Sequence, residues 1–280
     1  MPHDAPRAPE AKLSRRRFLR WSVLTAVGTA LAAGTLSTYR FGIVHRVAPV
    51  VSLRTPIRVV WLCDLHYGQF IREGSVAAWV DATLELEADL VLLGGDLVDA
   101  LAPSDVTPLL GQLARLRAPL GVFAVWGNHD AVRFRHERER FRSALERNGV
   151  TLLRNRGVLV RDDLYLAGID DLRTGRPDLS ASLANRPANT PCLLMSHNPD
   201  VLPQVPTDVD LTLCGHTHGG QVQLPWIGPV ITSSRYGRRF AEGWVAAPAR
   251  GYVSRGLGVT QIPIRINCPA ELTSFTLTPG

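Results

Sequence analysis

The sequence predicts an α/β fold built on a two-sheet sandwich. Short apolar runs alternate with amphipathic helical patterns through the first half, and β-like segments broken by Gly and Pro fill the second. Most of the apolar runs in between close on Asp, His, Asn or Gly, the placement expected when strand carboxyl ends converge on one rim. At 280 residues, 45% hydrophobic and 20% charged, the chain suits one large domain, or one domain with an appendage. That composition excludes collagen-like, disordered and multi-span membrane classes.

The amino-terminal segment reads as an address. Ser14-Arg15-Arg16-Arg17-Phe18-Leu19-Arg20 precedes a run free of charge from Trp21 to Tyr39. It resembles the twin-arginine export signal, S-R-R-x-F-L-K, with Arg20 in place of the final Lys. The alternative is a basic patch before an ordinary core helix. Ala30-Leu31-Ala32 offers a small-x-small cleavage site, and the charge-free run is also about long enough to span a bilayer. Cleavage is slightly favoured. Kept, the segment would anchor the chain with its basic end inside. The domains are therefore expected as 1–45, a signal peptide or membrane anchor plus linker, and 46–280, a catalytic domain. The twin-arginine translocase is the implied partner and the location periplasmic or otherwise extracytoplasmic.

After a linker at about residues 40 to 55, strands are predicted at 57–63, 90–93 and 122–126, with helices at 75–88, 106–116 and 134–147. Val76, Trp79, Val80, Leu84 and Leu86 give the first helix its apolar side, and Asn148-Gly149 stops the third. Further strands are expected near 151–153, 158–160, 164–167, 193–195 and 209–214, with β structure over 273–278. The four cysteines, Cys63, Cys192, Cys214 and Cys268, form no CxxC pair, and three lie in apolar runs, so they read as buried core residues.

Charge argues against a nucleic-acid partner. The net charge is +6, but residues 1 to 20 hold six basic residues against two acidic, leaving only +2 for the rest. The arginines of residues 133–140 are interleaved with acids, as on a solvated helix face.

Five of the eight histidines carry the functional signal: His66 in Asp64-Leu65-His66, His129 in Gly127-Asn128-His129-Asp130, His197 in Ser196-His197-Asn198, and His216 and His218 in Gly215-His216-Thr217-His218. Gly95-Asp96-Leu97-Val98-Asp99 adds carboxylates. Carboxylates, imidazoles and one amide oxygen at strand ends are what two divalent cations need. A single carboxylate at Asp96 can bridge the pair, and glycines before it permit close backbone approach. Two such cations lower the pKa of a bound water, which points to a two-metal hydrolase. Asp130 reads as a partner of a ligand or loop, and Asp170-Asp171 as loop-positioning or turn-capping. Arg235, Tyr236 and Arg238, in the loop from Trp226 to Phe240, are candidates for holding substrate.

The series DxH, GDxxD, GNHD, H and GHTHGGQ resembles the calcineurin-like metallophosphoesterase superfamily over about residues 55 to 280. The form at Gly215–Gln221 resembles its bacterial branch of exported or membrane-associated phosphodiesterases. The resemblance implies a four-layer α/β/β/α sandwich. It implies one metal held by Asp64, His66, Asp96 and His218, a second by Asp96, Asn128, His197 and His216, and His129, oriented by Asp99, as the acid for the leaving oxygen. Mn, Fe or Zn would all suit these ligands. Cys63, where Ser is usual, and Ala270, where Pro is common, are the departures. The function implied is a phosphodiesterase or pyrophosphatase acting on an envelope, lipid, cell-wall or nucleotide-linked substrate. A phosphomonoesterase is the alternative within the enzymes, and a metal-free binding module on the same fold is the alternative outside them.

Overall fold

The computed structural model describes residues 15–102 and 104–280. Ser14 and the other residues of the amino-terminal segment up to it lie outside the described residues. The chain opens with α1 (Arg15–Thr38) and β1 (Phe41–Val50), then alternates β2 (Ile57–Leu62), α2 (Glu73–Glu85), β3 (Leu90–Leu93), α3 (Thr107–Leu113) and β4 (Val122–Ala124). Two short helices, α4 (Asn128–Arg133) and α5 (Arg138–Arg147), lead to β5 (Val150–Leu152), β6 (Arg156–Arg161) and β7 (Leu164–Gly168). The second half holds α6 (Leu179–Leu183), β8 (Cys192–Met195), β9 (Leu211–Cys214) and a small ribbon of β10 (Gln223–Leu224) and β11 (Gly228–Pro229). It ends in β12 (Gly243–Ala246), β13 (Arg250–Val253) and β14 (Ala270–Pro279).

Two six-stranded sheets form, ordered β1-β14-β2-β3-β4-β5 and β12-β13-β9-β8-β7-β6. In the first, β2 to β5 run parallel and β14 runs antiparallel to β2. In the second, β13, β9, β8 and β7 are parallel between antiparallel edges. Side-chain alternation then decides the layers. Val59 and Trp61 of β2 pack in one core with Leu193, Met195, Leu211 and Leu213 of the other sheet. Val60 and Leu62 point the opposite way, into a core with Trp79 of α2, Leu109 of α3 and Leu145 of α5. On the far side of the second sheet, Cys192 and Leu194 pack with Val201, Val205 and Leu183. The order is helix, sheet, sheet, helix. Strands buried on both faces read as continuous apolar runs, which is why they were legible in the sequence. Each fully buried aliphatic side chain in these layers contributes about 1.5–3 kcal/mol.

Residues 40 to 55, expected as a linker, contain instead the ten-residue edge strand β1, paired in parallel along the whole of β14. Half of an edge strand faces solvent, so Arg46, His45 and Pro49 interrupted the apolar signal. The helix expected over 134–147 begins only at Arg138, as α5, and a separate short helix, α4, precedes it from Asn128 to Arg133. Among the described residues no helix is long and apolar enough to cross a membrane. The last turn of α1 is tied to the body, with Gly34 accepting from the Arg265 amide at 3.1 Å and the Ser37 hydroxyl donating to the Arg265 carbonyl. All four cysteines are free and buried, as expected of core residues.

Candidate metal centre

Two loops meet where β2 and β3 end. Gly94 donates to the Leu62 carbonyl at 2.7 Å, Asp64 to Gly95 at 3.0 Å and His66 to Asp96 at 2.9 Å, so the pairing continues past the strands. The loop after β4 comes equally close: a Cβ on Gly127 would collide with the Asp96 backbone nitrogen. Asp64, His66, Asp96, His216 and His218 all have left-handed backbones, with φ between 48° and 72°. Each costs about 1–3 kcal/mol and persists only where the surroundings dictate it. The left-handed turn departs from the extended path of the strand just before it, at the shared rim.

Among the described residues the side chains converge in two fully buried groups, Asp64, His66 and His218, and Asp96, His197 and His216, and in a more open one, His66, Asp99 and His129, each with donor atoms within 4.8 Å of one another. In the first, His66 Nε2 lies 3.0 Å from His218 Nε2, and His218 Nε2 lies 3.6 Å from Asp64 Oδ1. In the second, His197 Nε2 lies 3.2 Å from His216 Nδ1 and 3.2 Å from Asn128 Oδ1. Asp96 joins them: its Oδ2 is 3.5 Å from His66 Nε2 and 3.2 Å from His197 Nε2. Asn128 and the residues of these two groups are all buried. Buried imidazole nitrogens aimed at one another beside carboxylates are a donor set for divalent cations. His216 Nε2, buried and without a hydrogen-bond partner among the described residues, marks the same region as built for something the side chains alone do not satisfy.

The charges are strongly coupled. Burial pushes the Asp96 carboxyl up, but His197, then His66 and His129, overcome it and hold it well below the usual range. Burial pushes His197 down, yet Asp96 and then Asp64 raise it to about 10. Burial, then the charge of His197, takes His216 down to about 3. Burial, followed by His66 and Arg265, takes His218 far below its ordinary value.

His129 stands at the edge of this cluster, with about a quarter of its side chain exposed. The Ala100 amide donates to its Nδ1 at 3.3 Å, which leaves the ring proton on Nε2. Asp99 Oδ2 is 3.7 Å from His129 Nδ1 and closer, 3.3 Å, to His66 Nδ1, so it sits between the two rings.

Residues 57–220 match the family model of the calcineurin-like phosphoesterases. The chain belongs to that family. It is 31% identical to the uncharacterized metallophosphoesterase YkuE of Bacillus subtilis, over 95% of this chain and 98% of that one. It is 32% identical to the phosphodiesterase YaeI of Escherichia coli, over 95% and 99%. Among solved structures, a dimetal phosphatase from Danio rerio aligns with a TM-score of 0.49 at 13% identity, over 81% of this chain and 100% of that one. This calcineurin-like phosphoesterase is a metal-dependent hydrolase of phosphoesters.

Around the phosphoesterase centre, Asp130 accepts from the Val98 amide at 2.9 Å and the Gly127 amide at 3.1 Å, bracing the loops of Asp96 and Asn128. Burial, then Asp96, pushes its carboxyl up to about 7. Asp170 accepts from Arg154 and from the Arg176 amide, and Asp171 from the Arg173 and Thr174 amides. Together they fix the loop that carries Arg173. Arg173 and Arg235 line a polar cavity of about 480 Å³ with Asn198 and Gln261. Tyr236 packs on Phe240, Arg238 is exposed, and neither lines that cavity.

Arg265 was missed. Its guanidinium is buried and donates to the carbonyls of Gly258 at 2.6 Å, Arg255 at 2.8 Å, Gly256 at 3.1 Å and Cys268 at 3.2 Å. It also reaches within 3.5 Å of His218 Nδ1. One charged residue in the apolar stretch Ile262-Pro263-Ile264-Arg265-Ile266 was the available signal.

Proposed function

We propose that the chain is a two-metal phosphodiesterase or pyrophosphatase of the bacterial GHTHGGQ type, exported by the twin-arginine translocase and working outside the cytoplasmic membrane. The observation that carries the two-metal reading is Asp96 Oδ2, placed within 3.5 Å of imidazoles from both ligand groups. Asp64, His66, Asp96 and His218 would hold one ion, and Asp96, Asn128, His197 and His216 the other. Bound there, two divalent ions supply Lewis acidity and a water of lowered pKa.

The chain's own groups do the rest. The Asp96 carboxylate, shared between the two ligand groups, fixes their separation. His129, with its proton on Nε2, donates to the departing oxygen, while the Ala100 amide and Asp99 hold the ring. Arg173, and Arg235 beside its partner Asp200, face a polar cavity where the Arg173 guanidinium could meet a second anionic group, as in a pyrophosphate or a charged headgroup. Similarity to a protein named as a phosphodiesterase supports the diester assignment. The Arg15-Arg16-Arg17-Phe18-Leu19-Arg20 segment supports export, toward an envelope, lipid, cell-wall or nucleotide-linked substrate.

The test is hydrolysis of bis-p-nitrophenyl phosphate against p-nitrophenyl phosphate, with Mn²⁺ and with chelator, beside Asp96→Asn. Metal-dependent turnover that prefers the diester and disappears in the variant is expected. Preference for the monoester would overturn the diester assignment. Turnover indifferent to chelator would overturn the metal centre.

A further inference from the structure

Immediately after the His216-Thr217-His218 loop the chain leaves the body as the β10–β11 ribbon, and its tip is apolar and uncovered. Trp226 is wholly exposed, and Leu224, Ile227, Val230 and Ile231 are exposed around it, with Ile262 beside them. A soluble surface does not gather large apolar side chains this way without a use for them. Residues 222–240 contain no Asp or Glu; Arg235 is paired with Asp200 at 3.3 Å, and Arg238 and Arg239 are exposed beside the tip. Trp at the tip, aliphatics beneath and arginines behind are the arrangement that seats a protein at the headgroup boundary of an anionic bilayer.

The position of the ribbon fits that use. Val222, Val230, Ile231 and Ile262 line an apolar cavity of about 280 Å³ that also includes His218, so the ribbon base is a wall beside the ligand cluster. Val222 bridges to Ile266, and Ile264 and Ile266 are the residues that crowd Gly34 of α1. The ribbon and the last turn of α1 are thus fixed to one segment, and α1 itself exposes Trp21, Leu24 and Leu36 with Arg15, Arg16, Arg17 and Arg20.

We infer that the β10–β11 ribbon is a membrane-docking element: Trp226 and Ile227 enter the interfacial layer of an anionic lipid bilayer, Arg238 and Arg239 lie against its headgroups, and the ligand cluster is held at the lipid surface. The inference concerns binding and stands apart from the reaction assigned above.

The experiment uses the full chain with vesicles of phosphatidylglycerol and phosphatidylcholine brominated near the top of the acyl chains. Tryptophan emission of the unaltered chain should be quenched and shifted to the blue. The part of the quenching due to residue 226 should vanish in Trp226→Phe. Quenching that is the same in Trp226→Phe would place the insertion elsewhere, for instance at Trp21, and overturn the proposal. Trp226→Ser with Ile227→Ser should weaken partitioning about tenfold, and pure phosphatidylcholine should bind less than the anionic mixture. Equal binding to both compositions would remove the role given to the arginines. Hydrolysis of the soluble diester without vesicles should be unchanged in the double variant, reporting an intact fold. A concentration-dependent dimer, by light scattering, that dissociates in the double variant would assign the patch to a second copy instead.

Discussion

At Asp96 one carboxylate oxygen faces imidazoles of both ligand groups, so an amide there removes the negative charge that two cations would share. Partners that merely orient a ligand cost about 10- to 100-fold when removed. Asp96→Asn should therefore lose more than about a hundredfold in activity, together with the metal, measured by elemental analysis of the purified protein. His129 is different in kind, because it belongs to neither of the two fully buried groups and converges only with His66 and Asp99 at the more open edge. His129→Ala should keep its metal and lose about 10²–10⁴ in kcat, and an unchanged kcat would remove its role as acid. Asp99, Asp130 and Arg265 act through other residues. Asp130 ties two loops together, and Arg265 holds four carbonyls with a guanidinium that has the fork geometry for it.

Among the elements, the strands were the most legible. β3 occupies residues 90–93 as expected, and β2, β4, β7, β8 and β9 differ from expectation by a residue or two at their ends, because strands buried on both faces are short apolar runs with sharp limits. β1 was not legible, since its exposed half carries polar residues and its partner β14 is more than two hundred residues away. Loop contacts were equally hidden. Gly127 was read as part of a ligand motif, and the structure shows what it does there: nothing larger fits against Asp96. Gly127→Ala should force the Asp96 and Asn128 loops apart, destabilising the fold by about 1–3 kcal/mol and lowering metal content, both measurable on the same sample by thermal unfolding and elemental analysis. A variant with native Tm and full metal would show that the loops yield easily. The cysteines sit inside the layers, and burial pushes the Cys192 thiol up to about 12. The folded chain then keeps a proton that the unfolded chain loses above about pH 9, so stability should fall as pH rises from about 9 toward 12. Cys192 should also resist alkylation by iodoacetamide at pH 8 until the chain is unfolded, as mass spectrometry of the tryptic peptides would show.

Over the whole molecule, the candidate metal centre joins the two sheets. Asp64, Asp96 and Asn128 come from the first, His197, His216 and His218 from the second. Ions bound across that seam favour the folded state by mass action, because the unfolded chain cannot assemble both donor sets. Chelation should therefore lower the Tm by several degrees, and Mn²⁺ should restore it. A Tm indifferent to chelator in a sample shown to contain metal would mean that the sandwich holds without its centre.

The sequence by itself determined the chemistry: which side chains bear lone pairs and charge, and that they follow apolar runs able to end on one rim. These are local properties, written as residue type and spacing. Only the tertiary structure decided that Asp96 lies between the groups, that five of the candidate ligands turn left-handed, that Arg265 backs His218 and that Trp226 is left uncovered. Each of those depends on atoms brought together from separate parts of the chain, and a contact between residues tens of positions apart leaves no periodicity in the sequence to read.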